Sequence, residues 1–405
     1  MFCTGIVNFN PLLLGRSRCV HNFIYNQIAF ELIYCNAVNF KESVIILGVF
    51  ILGIVIGISV MKKPRVQEQS SVSSEPISII DTHLHTSLSP SDRTNEAMGQ
   101  AIANELLAKM DRYDIGQAIV MPPPQGPDQR AVYTYTALSS IVATNRDRLL
   151  LGGGGGDLSM MIFSTDPEDV TDTLKNEFRS IAEAIVSTGA VSFGEMAVLH
   201  LCLDPNHVYL VTQADHPLYL LLTDVSAETG VPIDVHMEVL TKNASTPKRF
   251  LDVCDQNPEM LLENFSGFER LLDHNLQAKI VLQHVGSDNL GNWDPTLLRT
   301  TLAKHPNLFV SLRVPDLYFT NSSRPSTLTL IDSDGTINSE WLALLEDFQD
   351  RFMVGSDTFT SLPGAQTPMD FPSGFSGLQK FIELLPDDLA KKIGHDNATV
   401  IYPIE

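Results

Sequence analysis

The sequence is poor in cationic side chains. Its 405 residues include 27 lysines and arginines against 48 aspartates and glutamates, so the formal net charge is −21. The acidic excess lies after residue 65, where 21 basic and 46 acidic side chains leave a net charge of −25. Such a region repels nucleic acids and anionic lipid surfaces at long range. We therefore expect no nucleic-acid partner.

Cysteine is also scarce, and two common motifs are absent. Only Cys202 and Cys254 lie beyond residue 40, and neither belongs to a Cys-x-x-Cys pair. Two cysteines are too few for a disulfide framework, so the redox compartment cannot be inferred from them. The glycine run at 152–156 lacks the Gly-Lys-Ser/Thr ending of a phosphate-binding loop. It predicts a loop with unusual backbone angles or a close approach near a pocket.

One long apolar run is present. Residues 43–61 carry no charged side chain over 19 positions, and a helix of that length just crosses the hydrocarbon core of a bilayer. We predict a single-pass membrane anchor, with a cleaved signal peptide as the alternative. Basic residues flank both ends, so the orientation stays open. The extracytoplasmic side is favoured if the segment around Lys41 is the cytoplasmic flank.

The chain divides around this run. Residues 1–42 show no periodicity that assigns a fold, whereas residues 62–76 are polar and serine-rich, as in a flexible tether. Residues 77–405 are predicted to form one folded domain. No feature of the sequence predicts the oligomeric state.

Apolar runs alternate with longer amphipathic stretches throughout that domain. The predicted strands are residues 77–85, 117–121, 149–151, 190–196, 232–237, 279–283, 308–312 and 352–355. The predicted helices are residues 95–110, 168–187, 218–229, 265–275, 295–304 and 340–348. Eight βα repeats predict an α/β fold of the (β/α)8 TIM-barrel type, with a doubly wound open sheet as the alternative.

The most informative motif is Asp81-Thr82-His83-Leu84-His85, at the end of the first predicted strand. Alternate residues of a strand point to the same side, so Asp81, His83 and His85 should converge. Two imidazoles and a carboxylate on one face are half of a metal site. The alternative is a polar strand end without a ligand.

Further groups that bind metals or move protons follow other predicted strands. Glu195 ends the fourth strand, His236 the fifth, His284 the sixth and Asp357 the eighth. Each by itself is more typical of a surface or capping residue. In a barrel, however, the carboxyl ends of the strands surround one pocket, where these groups can meet. His, Glu and Asp together suit Zn²⁺, with Mn²⁺, Fe²⁺ or Ni²⁺ as alternatives.

Some other histidines and one arginine are further candidates for the same pocket. Arg313 follows the seventh strand and could pair bidentately with a substrate carboxylate, or lie on a surface loop. His200, His207 and His216 are irregularly spaced in a predicted loop. We expect them to be solvated or to support ligands from behind. For His395 we expect a capping or packing role.

Several motifs together resemble a known family. They are Asp81-x-His83-x-His85, Phe193-Gly194-Glu195-Met196, His236, His284, Gly355-Ser356-Asp357 and Ile393-Gly394-His395-Asp396-Asn397-Ala398. In this order they resemble the amidohydrolase superfamily of metal-dependent barrel enzymes, particularly the amidohydrolase-related (amidohydrolase 2) branch that includes lactonases and decarboxylases. The resemblance spans residues 77–405 and does not reach the first 76.

The resemblance implies roles for these residues. His83, His85 and His236 would be metal ligands, and Asp357 would bind the metal while acting as general base. His284 would bind a second ion or polarise the substrate. The strand-four position of Glu195 favours a further metal ligand, as in members that bind two ions, whereas the decarboxylase-like branch typically has one ion and no such ligand.

The expected function is hydrolysis of a small substrate. A bound divalent ion activates water for attack on a C–N, ester or lactone carbonyl, and Asp357 would transfer the proton to the leaving group. Two alternatives stay open, namely decarboxylation or another C–C cleavage of a small carboxylate at the same site, and a catalytically inactive, membrane-tethered binding module. The substrate itself depends on loop shapes that the sequence does not define.

Overall fold

The computed structural model describes residues 77–89, 92–93, 95–127, 133–203, 207–315, 330–362 and 373–404. The predicted N-terminal segment, anchor and tether (residues 1–42, 43–61 and 62–76) lie outside these ranges. Within the ranges, no helix combines the length and the apolar character needed to cross a membrane.

Parallel strands close into a barrel. The strands are β1 (Ile79–Ser87), β2 (Ile115–Val120), β3 (Leu149–Gly154), β4 (Ser192–His200), β5 (Leu210–Val211), β6 (Ile233–Met237), β7 (Ala244–Ser245), β8 (Met260–Leu261), β9 (Ile280–Val285), β10 (Leu308–Leu312), β11 (Phe352–Val354) and β12 (Thr358–Ser361). Eight of them pair in the order β1-β2-β3-β4-β6-β9-β10-β11. The ring closes where Asp81 of β1 lies opposite Val354 of β11. The predicted barrel is thereby confirmed, and the open sheet is excluded.

Helices follow the barrel strands. They are α1 (Glu96–Arg112), α2 (Tyr135–Val142), α3 (Asp157–Phe163), α4 (Asp172–Ser187), α5 (Pro217–Thr229), α6 (Lys248–Leu251), α7 (Phe265–His274), α8 (Pro295–Lys304), α9 (Ser339–Asp347), α10 (Ser373–Leu384), α11 (Asp387–Lys391) and α12 (Asn397–Ile401). The predicted strands and helices are all present. The start of α8 shows the kind of local signal that made these predictions possible. Asp294 accepts a hydrogen bond from the Leu297 amide at 2.8 Å, and proline occupies the first helical position.

Two features of the strands differ from the prediction. The pairing register of β1 with β2 shifts between Asp81 and Leu84, an irregularity that the sequence did not predict. The glycine run was predicted as a loop, but Gly152, Gly153 and Gly154 belong to β3. These three glycines pair in parallel with residues 192–194 of β4.

The last helix covers one end of the barrel. Most buried apolar side chains form one large cluster, in which the barrel strands pack against the helices. A separate cluster joins strand residues such as Ile80 and Val281 to Ile401 and Tyr402 at the end of the chain. The Tyr402 hydroxyl also donates to the buried Asp234 carboxylate at 2.7 Å, and Ser192 donates to the same carboxylate. Ile401 and Tyr402 are therefore part of the barrel core.

A disulfide joins two segments beyond the strands. Cys202, just after β4, pairs with Cys254, just after α6, with a Cα separation of 6.0 Å. Asn257 reinforces this link because its side chain accepts from the Cys202 amide at 2.9 Å and donates to the Cys202 carbonyl at 2.8 Å. The sequence did not predict this pair, since cysteines 52 positions apart carry no spacing signal.

Candidate metal centre

Five predicted site residues meet at the carboxyl ends of the barrel strands. The Nε2 atom of His83 lies 2.9 Å from His85 Nε2 and 3.3 Å from His284 Nε2. Glu195 Oε2 is 3.1 Å from His85 Nε2 and 3.5 Å from His83 Nε2. Asp357 completes the group, with oxygens 3.6 Å from His85 Nε2 and 3.8 Å from His284 Nε2. We call these five side chains the donor cage.

The backbone presents two cage residues in an uncommon conformation. His284 has φ of 62° and Asp357 has φ of 51°, both in the left-handed region that residues other than glycine seldom adopt. The Asp357 amide donates to the His83 carbonyl at 2.9 Å, which ties the end of β11 to β1. Conformations of this kind cluster at functional sites, where the surrounding fold holds them.

Asp81 supports the cage from behind. Its Oδ1 accepts hydrogen bonds from the amides of His83 at 3.0 Å and Ser356 at 2.9 Å. It therefore joins the two strand ends that carry His83 and Asp357. Burial raises the pKa of Asp81 to about 6, against the opposing effect of these hydrogen bonds. The sequence predicted its proximity to the histidines but not this clamping contact.

A backbone carbonyl fixes the tautomer of His85. The Nδ1 atom lies 2.9 Å from the Met121 carbonyl, which can only accept, so Nδ1 carries the hydrogen. In the neutral ring, Nε2 then directs a lone pair into the cage. This is the usual arrangement behind a histidine that binds a metal.

The two carboxylate oxygens of Glu195 have different neighbours. Oε2 points into the cage, and Oε1 contacts His236. The Nδ1 atom of His236 lies 2.6 Å from Glu195 Oε1. Among the described residues, two groups of donors are close enough to hold an ion, namely His83, Glu195 and His284, and His83, His85 and Asp357. His236 belongs to neither group, although the sequence predicted it as a ligand. In this structure it contacts the ligand candidate Glu195.

The electrostatics of the cage favour a positive charge. Burial opposes protonation of His83, but the Glu195 carboxylate outweighs it and raises the His83 pKa to about 9. Burial also opposes ionisation of Asp357, but the positive charges of Arg313 and His83 hold its pKa below the ordinary value. The Glu195 pKa is likewise well below its ordinary value because His83 and His236 offset burial. The two carboxylates of the cage thus remain charged among imidazoles.

The donor set fits a divalent transition metal. Nitrogen and oxygen ligands about 2.0–2.1 Å from a tetrahedral Zn²⁺ lie roughly 3.3 Å from one another, and neighbouring donors of the cage are separated by 2.9 to 3.9 Å. Imidazole and carboxylate ligands suit Zn²⁺ and related ions rather than Ca²⁺ or Mg²⁺, which prefer oxygen. The two groups share His83, whose Nε2 lone pair binds one ion at a time. The cage therefore has donors for one ion, and a second adjacent ion needs a further donor such as His236.

Arg313 lies at the edge of the cage. Its Nε is 3.2 Å from Asp357 Oδ2, and its Nη1 donates to Ser287 Oγ at 3.1 Å. The sequence predicted a contact with substrate, and Arg313 does line the adjoining cavity. The Arg313 guanidinium is therefore already paired with the Asp357 carboxylate.

A cavity of about 250 Å³ opens onto the cage. His200 and His207, which were not expected to bind the metal, help to line it. His200 is only 6 % exposed, so of the two roles expected for it, a solvated side chain or a support for a ligand, burial excludes the first. It is the last residue of β4, which continues beyond the predicted end of that strand at residue 196. The apolar residues 197–199 were a usable signal for this longer strand. Glu195, His236, His284, Asp357 and Arg313 also line the cavity.

The other two histidines play local roles. His216 is fully buried and accepts from the Leu218 amide at 3.2 Å, so it caps α5 and is not solvated. His395 lies in a turn before α12, where its Nδ1 is 3.0 Å from Asp396 Oδ1.

Comparisons with known proteins give only distant similarity. No family model and no curated protein matches the sequence. Among solved structures, a probable 2-pyrone-4,6-dicarboxylic acid hydrolase from Acinetobacter baumannii is 12% identical with a TM-score of 0.43, over 80% of this chain and 99% of the other. Amidohydrolase 2 from Bifidobacterium longum subsp. infantis is 12% identical with a TM-score of 0.39, over 81% and 99%.

A third structure, described as the dipeptidase AC, a metallopeptidase, is 13% identical with a TM-score of 0.42, over 81% of this chain and 98% of the other. One of these descriptions names the family that the sequence motifs resemble. At these identities and TM-scores the likeness carries no argument about the chemistry, which depends on the cage itself.

Proposed function

We propose that the protein is a metal-dependent hydrolase that cleaves a C–N, ester or lactone bond of a small molecule. The observation that supports this most directly is the donor cage, in which three imidazoles and two carboxylates lie 2.9 to 3.9 Å apart at the mouth of a barrel. Active sites of such barrels lie at this end. Zn²⁺ is the ion we expect, bound by His83, His85, Glu195, His284 and Asp357, with His236 as a further ligand if it turns from Glu195.

A divalent ion held in the cage would lower the pKa of bound water and would polarise a carbonyl group. The chain's own residues move the protons. Asp357 stays ionised at neutral pH and lies at the edge of the cavity, so it can accept a proton from the attacking water and pass it to the leaving group. Arg313 holds the Asp357 carboxylate in place and can also contact a negatively charged substrate group.

His284 has a different role in this proposal. Burial holds its pKa well below the ordinary value, so the ring is neutral at neutral pH. A neutral imidazole can bind an ion or orient the substrate carbonyl, but it does not supply a full positive charge. We assign it to binding and orientation.

The orientation of Glu195 supports hydrolysis over decarboxylation. A carboxylate turned away from the cage would suit the C–C lyase alternative, but Glu195 Oε2 lies 3.1 Å from His85 Nε2. The intact set of donors and the ionised Asp357 likewise argue against an inactive binding module.

Elemental analysis of the purified full chain tests the proposal, followed by a hydrolysis screen over small lactones, amides and aromatic carboxylates. We expect one or two equivalents of a transition metal and turnover of a lactone or amide. Protein that neither contains nor takes up such a metal would contradict the proposal. Release of CO₂ from a carboxylate without hydrolysis would favour the lyase.

We also propose that residues 43–61 anchor the domain to a membrane, on the extracytoplasmic side. The uncharged run in the sequence supports the anchor, and the Cys202–Cys254 disulfide supports an oxidising compartment. Extraction of the chain from membranes by detergent but not by alkaline carbonate is the expected result. Recovery in the carbonate-soluble fraction would contradict the anchor.

A further inference from the structure

One wall of the cavity is a β-hairpin whose first strand, β4, also carries the cage residue Glu195. Strands β4 and β5 pair antiparallel, with Leu199 opposite Val211 and His200 opposite Leu210. Leu203, His207 and Val208 between them line the cavity together with His200. The hairpin therefore places two imidazoles beside the cage.

A backbone carbonyl fixes the His200 ring within this wall. Its Nδ1 lies 2.8 Å from the Val208 carbonyl across the hairpin. Because a carbonyl only accepts, Nδ1 carries the hydrogen, and Nε2 of the uncharged ring is left as an acceptor. The ring centre lies 4.7 Å from that of His236 and 4.3 Å from that of His207, whose Nδ1 is in turn 2.9 Å from the Leu201 carbonyl.

Covalent and polar links hold the described parts of this hairpin, residues 199–203 and 207–211. The disulfide attaches Cys202, two residues after His200, to Cys254. The Asn257 side chain forms hydrogen bonds with both the amide and the carbonyl of Cys202. The Gln256 side chain accepts a hydrogen bond from the Tyr209 amide at 3.3 Å. A wall that is fixed by so many contacts presents its side chains in one arrangement, which is what substrate discrimination requires.

His200 has no place in the metal chemistry. Neither of the donor groups found among the described residues contains it. It is nevertheless held at the cavity surface, within reach of a small molecule bound at the cage.

We propose that His200 is a specificity-determining residue that accepts a hydrogen bond from a hydroxyl or N–H group of the substrate, next to the bond that is cleaved. The preferred substrates are then small carbonyl compounds with such a donor on the neighbouring carbon. This inference rests on the proposed hydrolase function, because it takes the cage as the point where the carbonyl binds.

Two amides that differ only in one hydroxyl test the proposal. Lactamide has the donor and propanamide lacks it, and both are small enough for the cavity. We expect the metal-loaded full chain to bind lactamide about tenfold more tightly in calorimetric titrations, as a single hydrogen bond of this kind would give. Equal binding, or no binding of either amide, would overturn the proposal.

Two substitutions of His200 then distinguish the donor role of Nδ1 from the acceptor role of Nε2. His200→Asn keeps a donor for the Val208 carbonyl and loses the acceptor at the Nε2 position, so the preference for lactamide should disappear. His200→Gln places an amide near the Nε2 position and should retain part of the preference. If His200→Asn keeps the full preference, His200 is not the acceptor.

Metal content, measured by elemental analysis of both variants, distinguishes this proposal from the function on which it rests. We expect wild-type metal content in each, because His200 lies outside the donor groups. Loss of metal in His200→Asn would make His200 part of the metal centre and overturn the specificity role. Failure of the hydrolase proposal would instead appear in the wild type, as absent metal or absent turnover.

Discussion

At the scale of single residues, the left-handed conformation of Asp357 shapes how its role can be tested. Asparagine tolerates this conformation nearly as well as aspartate, so Asp357→Asn should preserve the backbone at the end of β11. The amide cannot accept the proton of the attacking water. We expect kcat to fall by about 10²-fold or more, the usual size of a general-base contribution, with the melting temperature little changed.

Asp114 provides a matched control for that substitution. It has φ of 57° and binds Gln379 at the surface, away from the cavity. Asp114→Asn should leave kcat unchanged. Full activity in Asp357→Asn would reject Asp357 as the base, and an equal loss in both variants would indicate a backbone effect.

At the scale of elements, the glycine run lets two segments approach each other beside Glu195. A Cβ at Gly155 would lie 2.4 Å from the Pro122 carbonyl oxygen and 2.9 Å from that of Glu195. Both contacts are with backbone, which cannot move aside cheaply. The Pro122 carbonyl also accepts from the Glu195 amide at 3.1 Å, so a displaced loop would shift a cage residue.

Gly155→Ala should therefore lower both stability and metal content. We expect a loss of about 1–3 kcal/mol in the free energy of unfolding, the typical cost of overpacking, measured by urea denaturation. Gly394→Ala is the control, because a Cβ there would meet only side-chain atoms, the nearest at 3.2 Å. Equal stability and metal content in Gly155→Ala and wild type would show that the close approach is not required.

At the scale of the whole molecule, the raised pKa of His83 links stability to pH when the metal is removed. The folded pKa is about 9 against 6.5 for an ordinary histidine. Protonated His83 therefore stabilises the metal-free fold fully below about pH 6.5, and this contribution is lost as the pH rises through 9. A difference of about 2.5 pKa units amounts to roughly 3 kcal/mol.

Thermal unfolding of chelator-treated protein between about pH 6 and pH 10 measures this effect. We expect the melting temperature to fall across the range. Metal-loaded protein should lack the His83 contribution to this fall, because a ligand histidine is already deprotonated. A metal-free protein whose stability rises with pH over the same range would contradict the assignment of charge in the cage.

The barrel could be predicted from the sequence because each strand is a short apolar run with its own local signal. The cage residues could be proposed because the carboxyl ends of barrel strands meet, whatever their distance along the chain. The roles of His83, His85, Glu195, His284 and Asp357 stay predictions, although the structure brings the five together.

Other features depend on contacts that have no local signature. The shift in β1 near Asp81, the pairing of Cys202 with Cys254 and the hairpin that buries His200 all arise from tertiary packing. A strand and a loop with a few polar residues look alike in sequence, so the sequence could not decide between a solvated His200 and one that supports a ligand. The ligand role of His236 also stays a prediction, and its 2.6 Å contact with Glu195 is one that the sequence could not show.

The bond between Tyr402 and Asp234 has a consequence for the order of folding. The two residues are 168 positions apart, so the contact that joins them closes a long loop and is entropically costly to form early. Tyr402 should therefore dock after the strands of the barrel have paired. Tyr402→Phe should then speed unfolding and leave the refolding rate little changed in stopped-flow measurements with urea. A marked slowing of refolding would contradict this order.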